Sequence, residues 1–207
     1  MVAAVLERHA FCVADPKETK AGLLDLVRSL QPCAVFAGSG ALVSQQDLSG
    51  ALSHPCPLVG VGPRTALVSG PPRSLRRPCS GAPFCCITAV KSSKGQLQLL
   101  AWEHEAVLWA ARTWSTQMQL QPGDRTVPFY APHVMESTVA LWAAFAAGAS
   151  VLVPPGMMRP GAGFRTWLRK QRATVLSSGP LQLRVLGAVG GASSLASLRQ
   201  VWATGRQ

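Results

Sequence analysis

The stretch from Leu120 to Gly156, LQPGDRTVPFYAPHVMESTVALWAAFAAGASVLVPPG, decides the fold. It opens on Gln121-Pro122-Gly123-Asp124, the residue types of a tight turn. RTVPFYAP follows as a strand. MESTVALWAAFAAG is apolar at almost every position, so the helix it predicts is buried on most sides. Gly148 suits the sharp turn out of that helix. ASVLVPP then reads as a second strand. Strand, covered helix, strand is the unit from which parallel sheets are built.

The same alternation runs outward in both directions. Upstream, AFCVAD (10–15) is a short apolar run. PKETKAGLLDLVRSLQP (16–32) places Leu23, Leu24, Leu26, Val27 and Leu30 on one helical face. Asp15-Pro16 is its expected start and Gln31-Pro32 its stop. CAVFAG (33–38) and PLVGVG (57–62) read as strands, with a short helix in SQQDLSGALSH (44–54). Residues 61–82 are rich in Pro, Gly, Ser and Arg, the composition of a linker. They divide the chain into a first portion, 1–82, and a second, 83–207. The second continues with a strand in FCCITAV (84–90) and a helix in EHEAVLWAARTWSTQM (103–118). Beyond the opening stretch come a helix in GFRTWLRKQR, a strand in ATVLSS, a helix in GPLQLRVLGAV, and a last strand in SLASLRQVWATG. The strands are continuously apolar rather than alternating, which predicts an α/β fold with sheets flanked by helices.

Bulk composition narrows the class. Of 207 residues, 48% are hydrophobic and 14% charged, so the chain is globular rather than disordered. Net charge is +11, and from Arg125 onward there are nine basic residues against one acid, Glu136. A basic face of this kind fits an anionic ligand or simple solvation. No zinc-finger spacing, RNA signature or basic heptad accompanies it, so no specific nucleic acid is expected. Six cysteines, at 12, 33, 56, 79, 85 and 86, form no CxxC pair. They read as reduced, mostly buried thiols of a cytoplasmic protein. The longest apolar stretch is interrupted by Gly and Ser and stopped by Pro-Pro, so no membrane span is expected.

The order of segments resembles the large N-terminal domain of adenylate-forming enzymes, the AMP-dependent synthetases and ligases. Acyl-CoA synthetases and nonribosomal-peptide adenylation domains are the most similar in pattern. Leu120–Gly156 is similar to the family's L-x-P-G-D, a strand, P-x-x-H-x-x-G and a buried helix. FRTWLRKQRATVLSSGPLQLRVL resembles the helix and the T-x-x-x-x-x-P segment that follow. SSKGQLQLLAWEH (92–104) resembles the family's phosphate loop, T-S-G-S-T-G-x-P-K-G-V-x-x-x-H. Gly95 falls on the last loop glycine and His104 on the histidine nine residues later.

The resemblance implies ATP and Mg2+ as cofactors, held in part by Ser92, Ser93, Lys94 and Gly95. The loop departs from the pattern, however. Ser92 stands where a glycine is expected, Lys94 replaces a threonine, and Gln98 occupies the lysine position. A lost glycine restricts positive-φ geometry and a lost lysine removes a charge-assisted bond to phosphate. The loop therefore reads as degenerate, with Lys91 and Lys94 as substitute charges or as residues of a solvated turn.

On the substrate side, His133 falls on the pocket or gating histidine of acyl-CoA synthetases, or else faces solvent at a helix start. Met135 occupies the position at which amino-acid-activating members carry an aspartate, which disfavours an amino-acid substrate. Trp142 and Phe145 face an acyl pocket or the core. The family's adenine segment, its metal-holding glutamate, its ribose-binding aspartate and its lid lysine have no counterpart before Gln207, and Met1 falls inside a family element. The expectation is a domain truncated at both ends and inactive alone. Its partner would be a chain or domain carrying the rest of the ligase. The alternative is a binding domain that uses its basic surface.

Overall fold

A computed structural model describes residues 9–38, 41–61, 66–67, 84–92, 95–155, 158–189 and 195–204. The chain divides into two compact units, 1–101 and 102–207. The linker expected at 61–82 lies mostly outside the described residues, as does Cys79.

The first unit holds β1 (Phe11–Cys12), α1 (Lys20–Leu30), β2 (Val35–Gly38), α2 (Gln45–Ala51), β3 (Leu58–Val61), β4 (Ala66–Leu67) and β5 (Phe84–Lys91). Strand β6 (Leu97–Glu103) runs across the boundary. One sheet has the order β1-β5-β6 and another the order β2-β3-β4. β1 lies parallel to β5, with Phe11 opposite Cys86. β2 lies parallel to β3, with Val35 opposite Leu58.

Helix α1 starts later than expected. Thr19 is its N-cap, with the side-chain hydroxyl accepting from the Gly22 N–H at 3.1 Å. Asp15 instead accepts from Lys17 N–H at 2.9 Å and so closes a turn before the helix. The stop falls where Gln31-Pro32 predicts it, with Gln31 left-handed at φ 46°. Helix α2 carries a full capping box between Ser44 and Asp47, and Leu48 is its buried anchor.

Two expectations change. Leu97–Glu103 is a strand, not part of a loop leading into a helix. Nor are all strands covered on both faces. β2 alternates along its length, and Phe36 is 71% exposed.

The second unit is a parallel sheet with helices. It contains α3 (His104–Gln117), β7 (Arg125–Phe129), α4 (Met135–Ala146), β8 (Ser150–Val151), α5 (Ala162–Lys170), β9 (Val175–Ser178), α6 (Pro180–Ala188) and β10 (Gln200–Ala203). The strand order is β10-β9-β7-β8, all parallel. The opening stretch supplies β7, α4 and β8 as predicted. Gly148 makes the turn between α4 and β8 at φ 68°, a conformation that favours glycine. Thr138, Val139, Ala140, Ala143 and Ala144 are buried along α4, while Phe145 is exposed. The core gathers Val127, Phe164, Leu168, Ala173, Leu176 and Leu186, with Phe129 stacked on Phe164 at 4.1 Å.

A polar clamp ties the start of this sheet together. Asp124, buried, accepts from Thr174 Oγ1 at 2.7 Å, Gln121 N–H at 2.8 Å and Arg199 Nε at 2.8 Å. A second bond comes from Arg199 Nη2. The Arg199 guanidinium, with the other donors, holds the Asp124 carboxyl down to about 2. One side chain thereby fixes the Gln121–Asp124 turn, the lead-in to β9 and the lead-in to β10. Among the described residues, no helix is long and apolar enough to cross a membrane.

Candidate functional site

In the first unit, the phosphate-loop stretch is a hairpin connection. β5 and β6 are hydrogen-bonded neighbours joined by five residues, too few for a parallel crossover, so they run antiparallel. Ser92 N–H donates to the Gln96 carbonyl at 2.9 Å, and Gly95 N–H donates to the Ser92 carbonyl at 2.9 Å. The Ser92 hydroxyl accepts from Gln96 N–H at 3.2 Å. Gly95, at φ 75°, makes the reversal. Ser93 and Lys94 lie outside the described residues.

A phosphate loop works by converging unpaired N–H groups on oxygen. Here the N–H groups of Ser92, Gly95 and Gln96 are bonded inside the turn. Lys91 is committed as well, since its Nζ lies 2.7 Å from Glu18 Oε2. That hydrogen bond lowers the Glu18 pKa. Gln98 sits within β6, in the place of the family's lysine. Through its described residues Ser92, Gly95 and Gln96, this loop offers a triphosphate no unbonded N–H donor. No group of three or more His, Cys, Asp or Glu that could hold a metal ion occurs among the described residues.

In the second unit, the connection from β7 runs to β8 on one side, and the next returns to β9 on the other. The strand order thus reverses between β7 and β9, and the crevice at their carboxyl ends is the place where such sheets take ligands. Tyr130, just past β7, bonds the Thr204 hydroxyl just past β10 at 2.6 Å. Ser178 Oγ donates to the Phe129 carbonyl at 3.4 Å. Burial pushes the Tyr130 phenol up, as does the charge of Glu136, while the bond to Thr204 opposes them. Gly179 and Pro180 then start α6, where Gln182 folds back over the helix start; a Cβ on Gly179 would come within 2.5 Å of its Oε1.

The three sequence-assigned substrate residues follow β7. His133 is half-buried in the turn into α4. Met135 begins α4, and Trp142 lies two turns on, along the face that also carries Val139. Trp142 meets Phe145 edge to face at 5.9 Å, and its buried Nε1 has no hydrogen-bond partner among the described residues. Met135 and Val139 line a groove of about 350 Å³ with Trp102, Ala106, Ala110, Trp114 and Glu136. Trp142 is not among its lining residues.

The α3 wall was missed in the sequence, although Ala106, Ala110 and Trp114 recur at helical spacing. Tyr130 and Thr204 were missed too; their signal was position at the carboxyl ends of parallel strands. Glu136 changes the substrate argument. The aspartate position is Met135, and the next residue, Glu136, also lines the groove.

No protein-family profile and no curated protein matches the sequence. Solved structures do match the fold. ATP-bound MatB from Rhodopseudomonas palustris superposes with a TM-score of 0.74 and 15% identity, covering 97% of this chain and 40% of that one. A protein described as a long-chain-fatty-acid CoA ligase from the same organism gives 0.75 and 16%, covering 99% and 52%. The luciferase-like enzyme of the mealworm Zophobas morio gives 0.72 and 16%, covering 96% and 48%. The chain therefore spans about half or less of each of these structures and has the fold of that part of the adenylate-forming enzymes.

Proposed function

We propose that this chain is an acyl-CoA-ligase-like domain of the adenylate-forming type that does not bind ATP or form an adenylate by itself. One observation carries the reading: the hairpin at 92–96 bonds its own N–H donors and leaves none of the described ones for phosphate. In the complete ligases ATP activates a carboxylate before transfer to a thiol; no such step is assigned to this chain's residues. The substrate side supports an apolar ligand, since tryptophan, alanine, valine and methionine make most of the groove wall.

The test is thermal unfolding with and without millimolar Mg-ATP, beside a pyrophosphate-exchange assay. A native-state ligand at a hundredfold excess over its dissociation constant stabilises by about 2.7 kcal/mol. We expect no shift and no exchange. A concentration-dependent upward shift would overturn the reading. Exchange that appears only with a second chain carrying a lid domain would make this half of a split ligase. For the groove, octanoate should quench tryptophan fluorescence more strongly than octylamine. The reverse order would mean that Glu136 reads an ammonium, and the acyl assignment would fall.

A second reading rests on Arg125, Arg169, Lys170 and Arg172. All four are exposed, and Arg125 Nε donates to the Gln171 carbonyl at 2.8 Å, which sets it beside the end of α5. None has a carboxylate partner among the described residues. A surface of this charge suits an acidic protein partner, and binding to it should weaken steeply as salt rises.

A further inference from the structure

Two cysteines of the first unit each stand two residues before one of two adjacent strands, Cys33 before β2 and Cys56 before β3. Val35 N–H donates to the Pro57 carbonyl at 3.0 Å, continuing the β2–β3 pairing backward. Just before it, His54 Nε2 lies 3.1 Å from the Pro32 carbonyl. Gln31 Oε1 accepts from Ser53 N–H at 3.3 Å and from Ser53 Oγ at 2.9 Å. The two segments therefore run side by side from Gln31 and Ser53 into the strands. Carrying the Val35–Leu58 register back two residues sets Cys33 opposite Cys56. Paired strands lie about 4.8 Å apart, within the Cα separation of about 4.4–6.8 Å that a disulfide spans. Cys33 is exposed, Cys56 is buried, and both are free thiols. Burial raises the Cys56 thiol, and the neighbouring Cys33 charge raises it further.

We propose that Cys33 and Cys56 form an oxidative modification site whose substrate is a hydroperoxide. The Cys33 thiolate attacks the peroxide oxygen, the O–O bond breaks, and Cys33 becomes a sulfenic acid as the other oxygen leaves, protonated, as water or alcohol. The Cys56 thiolate then attacks the Cys33 sulfur. An S–S bond forms, hydroxide leaves, and it takes up the Cys56 proton as a second water. Two thiols are oxidised by two electrons in all, and the peroxide is reduced by two. Cys33 meets peroxide first because it is exposed; Cys56 is the resolving thiol because it sits beside it. The other thiols are placed differently. Cys85 and Cys86 are consecutive on β5 and both buried, and Cys12, opposite Ile87, is only half-buried.

The bond would close a loop over residues 34–55, which contains α2. Gln45 of α2 already bridges the same place: its Nε2 donates to the Cys56 carbonyl at 2.9 Å, and its Oε1 accepts from Leu58 N–H at 2.8 Å. Oxidation would fasten covalently what Gln45 holds by hydrogen bonds.

The experiment is hydrogen peroxide treatment of the whole chain, alkylation of remaining thiols, and peptide mapping with and without dithiothreitol. The expected product is an intrachain Cys33–Cys56 peptide pair that dithiothreitol releases. Cys33→Ser should abolish it and leave Cys56 fully alkylated after unfolding. Cys56→Ser should leave a sulfenic acid on Cys33 that dimedone traps. The linking step should speed up as pH rises, since Cys56 must ionise. Cys33 trapped by dimedone in the unmutated chain with Cys56 still free would overturn the proposal. So would linkage of Cys33 to another chain, or no reaction at Cys33. Should Cys56→Ser fail to fold, the unmutated chain and the exposed-site variant Cys33→Ser still decide the matter.

Discussion

Replacing Asp124 with asparagine tests whether the second unit is held by a charged clamp. The side chain keeps its size and loses its charge. In the native chain the carboxylate takes bonds from Arg199, Thr174 and Gln121, and its pKa falls from 3.8 to about 2. A shift of that size corresponds to about 2 kcal/mol at most. Arg199 is 35% exposed, so solvent screening reduces the charge contribution to about 1–2 kcal/mol. The asparagine amide also turns a donor toward a guanidinium that has only donors, which adds to the loss. We expect a total near 2 kcal/mol at pH 7, a fall in Tm of about 4–8 °C for a chain of this length. The pH dependence has a definite sign. A depressed carboxyl contributes fully above the unfolded-state value near 4 and loses its contribution as pH falls toward 2. Urea unfolding of both proteins at pH 7, 5 and 3 should show an equal gap at the first two and a smaller gap at the third. A difference within about 0.5 kcal/mol at pH 7, the ordinary range for surface changes, would refute the clamp. A gap that is as wide at pH 3 as at pH 7 would refute its electrostatic origin.

Tyr130 is the chain's single tyrosine, so phenolate absorbance reads it directly. It should titrate above the ordinary value near 10, because burial raises it; titration at or below that value would contradict the buried placement. Ser44→Ala should cost about 1 kcal/mol by removing the capping box of α2, measured by chemical denaturation. Trp142→Phe deletes a buried donor that has no partner among the described residues, so its cost should not exceed that of the lost ring volume, about 1–2 kcal/mol by chemical denaturation; a larger loss would contradict the unbonded placement of the indole N–H. Gln98→Lys restores the family's charge on β6 but not the loop's free donors, and calorimetry should still detect no Mg-ATP binding.

The parallel sheet of the second unit was legible because each strand is short and apolar and each helix between strands is either amphipathic or wholly apolar. Gly148 and the Pro122-Gly123-Asp124 turn marked their own places. The start of α1 was misplaced because both Asp15 and Thr19 are acceptable caps, and tertiary context chose the threonine while Asp15 closed the preceding turn. β6 was missed although Gln96, Leu97, Gln98 and Leu99 alternate with a period of two. The pull of the phosphate-loop pattern outweighed that local signal. His133, Met135 and Trp142 follow β7 as a short contiguous segment and were visible together. Tyr130 and Thr204 are 74 residues apart, and only the strand order joins them.

The hairpin and the groove-lining helix differ in how they treat an unbonded donor. A loop that waits for phosphate keeps several N–H groups without protein partners, and the ligand supplies their bonds. Without a nucleotide to bind, such a loop lowers its free energy by bonding to itself. Ser92 does this twice, through its N–H and its hydroxyl, and glycine in its place would offer no hydroxyl for the second bond. The substitution at position 92 therefore stabilises the closed turn at the same time as it limits the open one. On α4 the opposite holds. Trp142 has a buried indole N–H with no hydrogen-bond partner among the described residues, on the face that carries Met135 and Val139. The first feature is a turn whose described donors are bonded to itself, and the second is a helix face with a buried indole N–H that has no partner among the described residues.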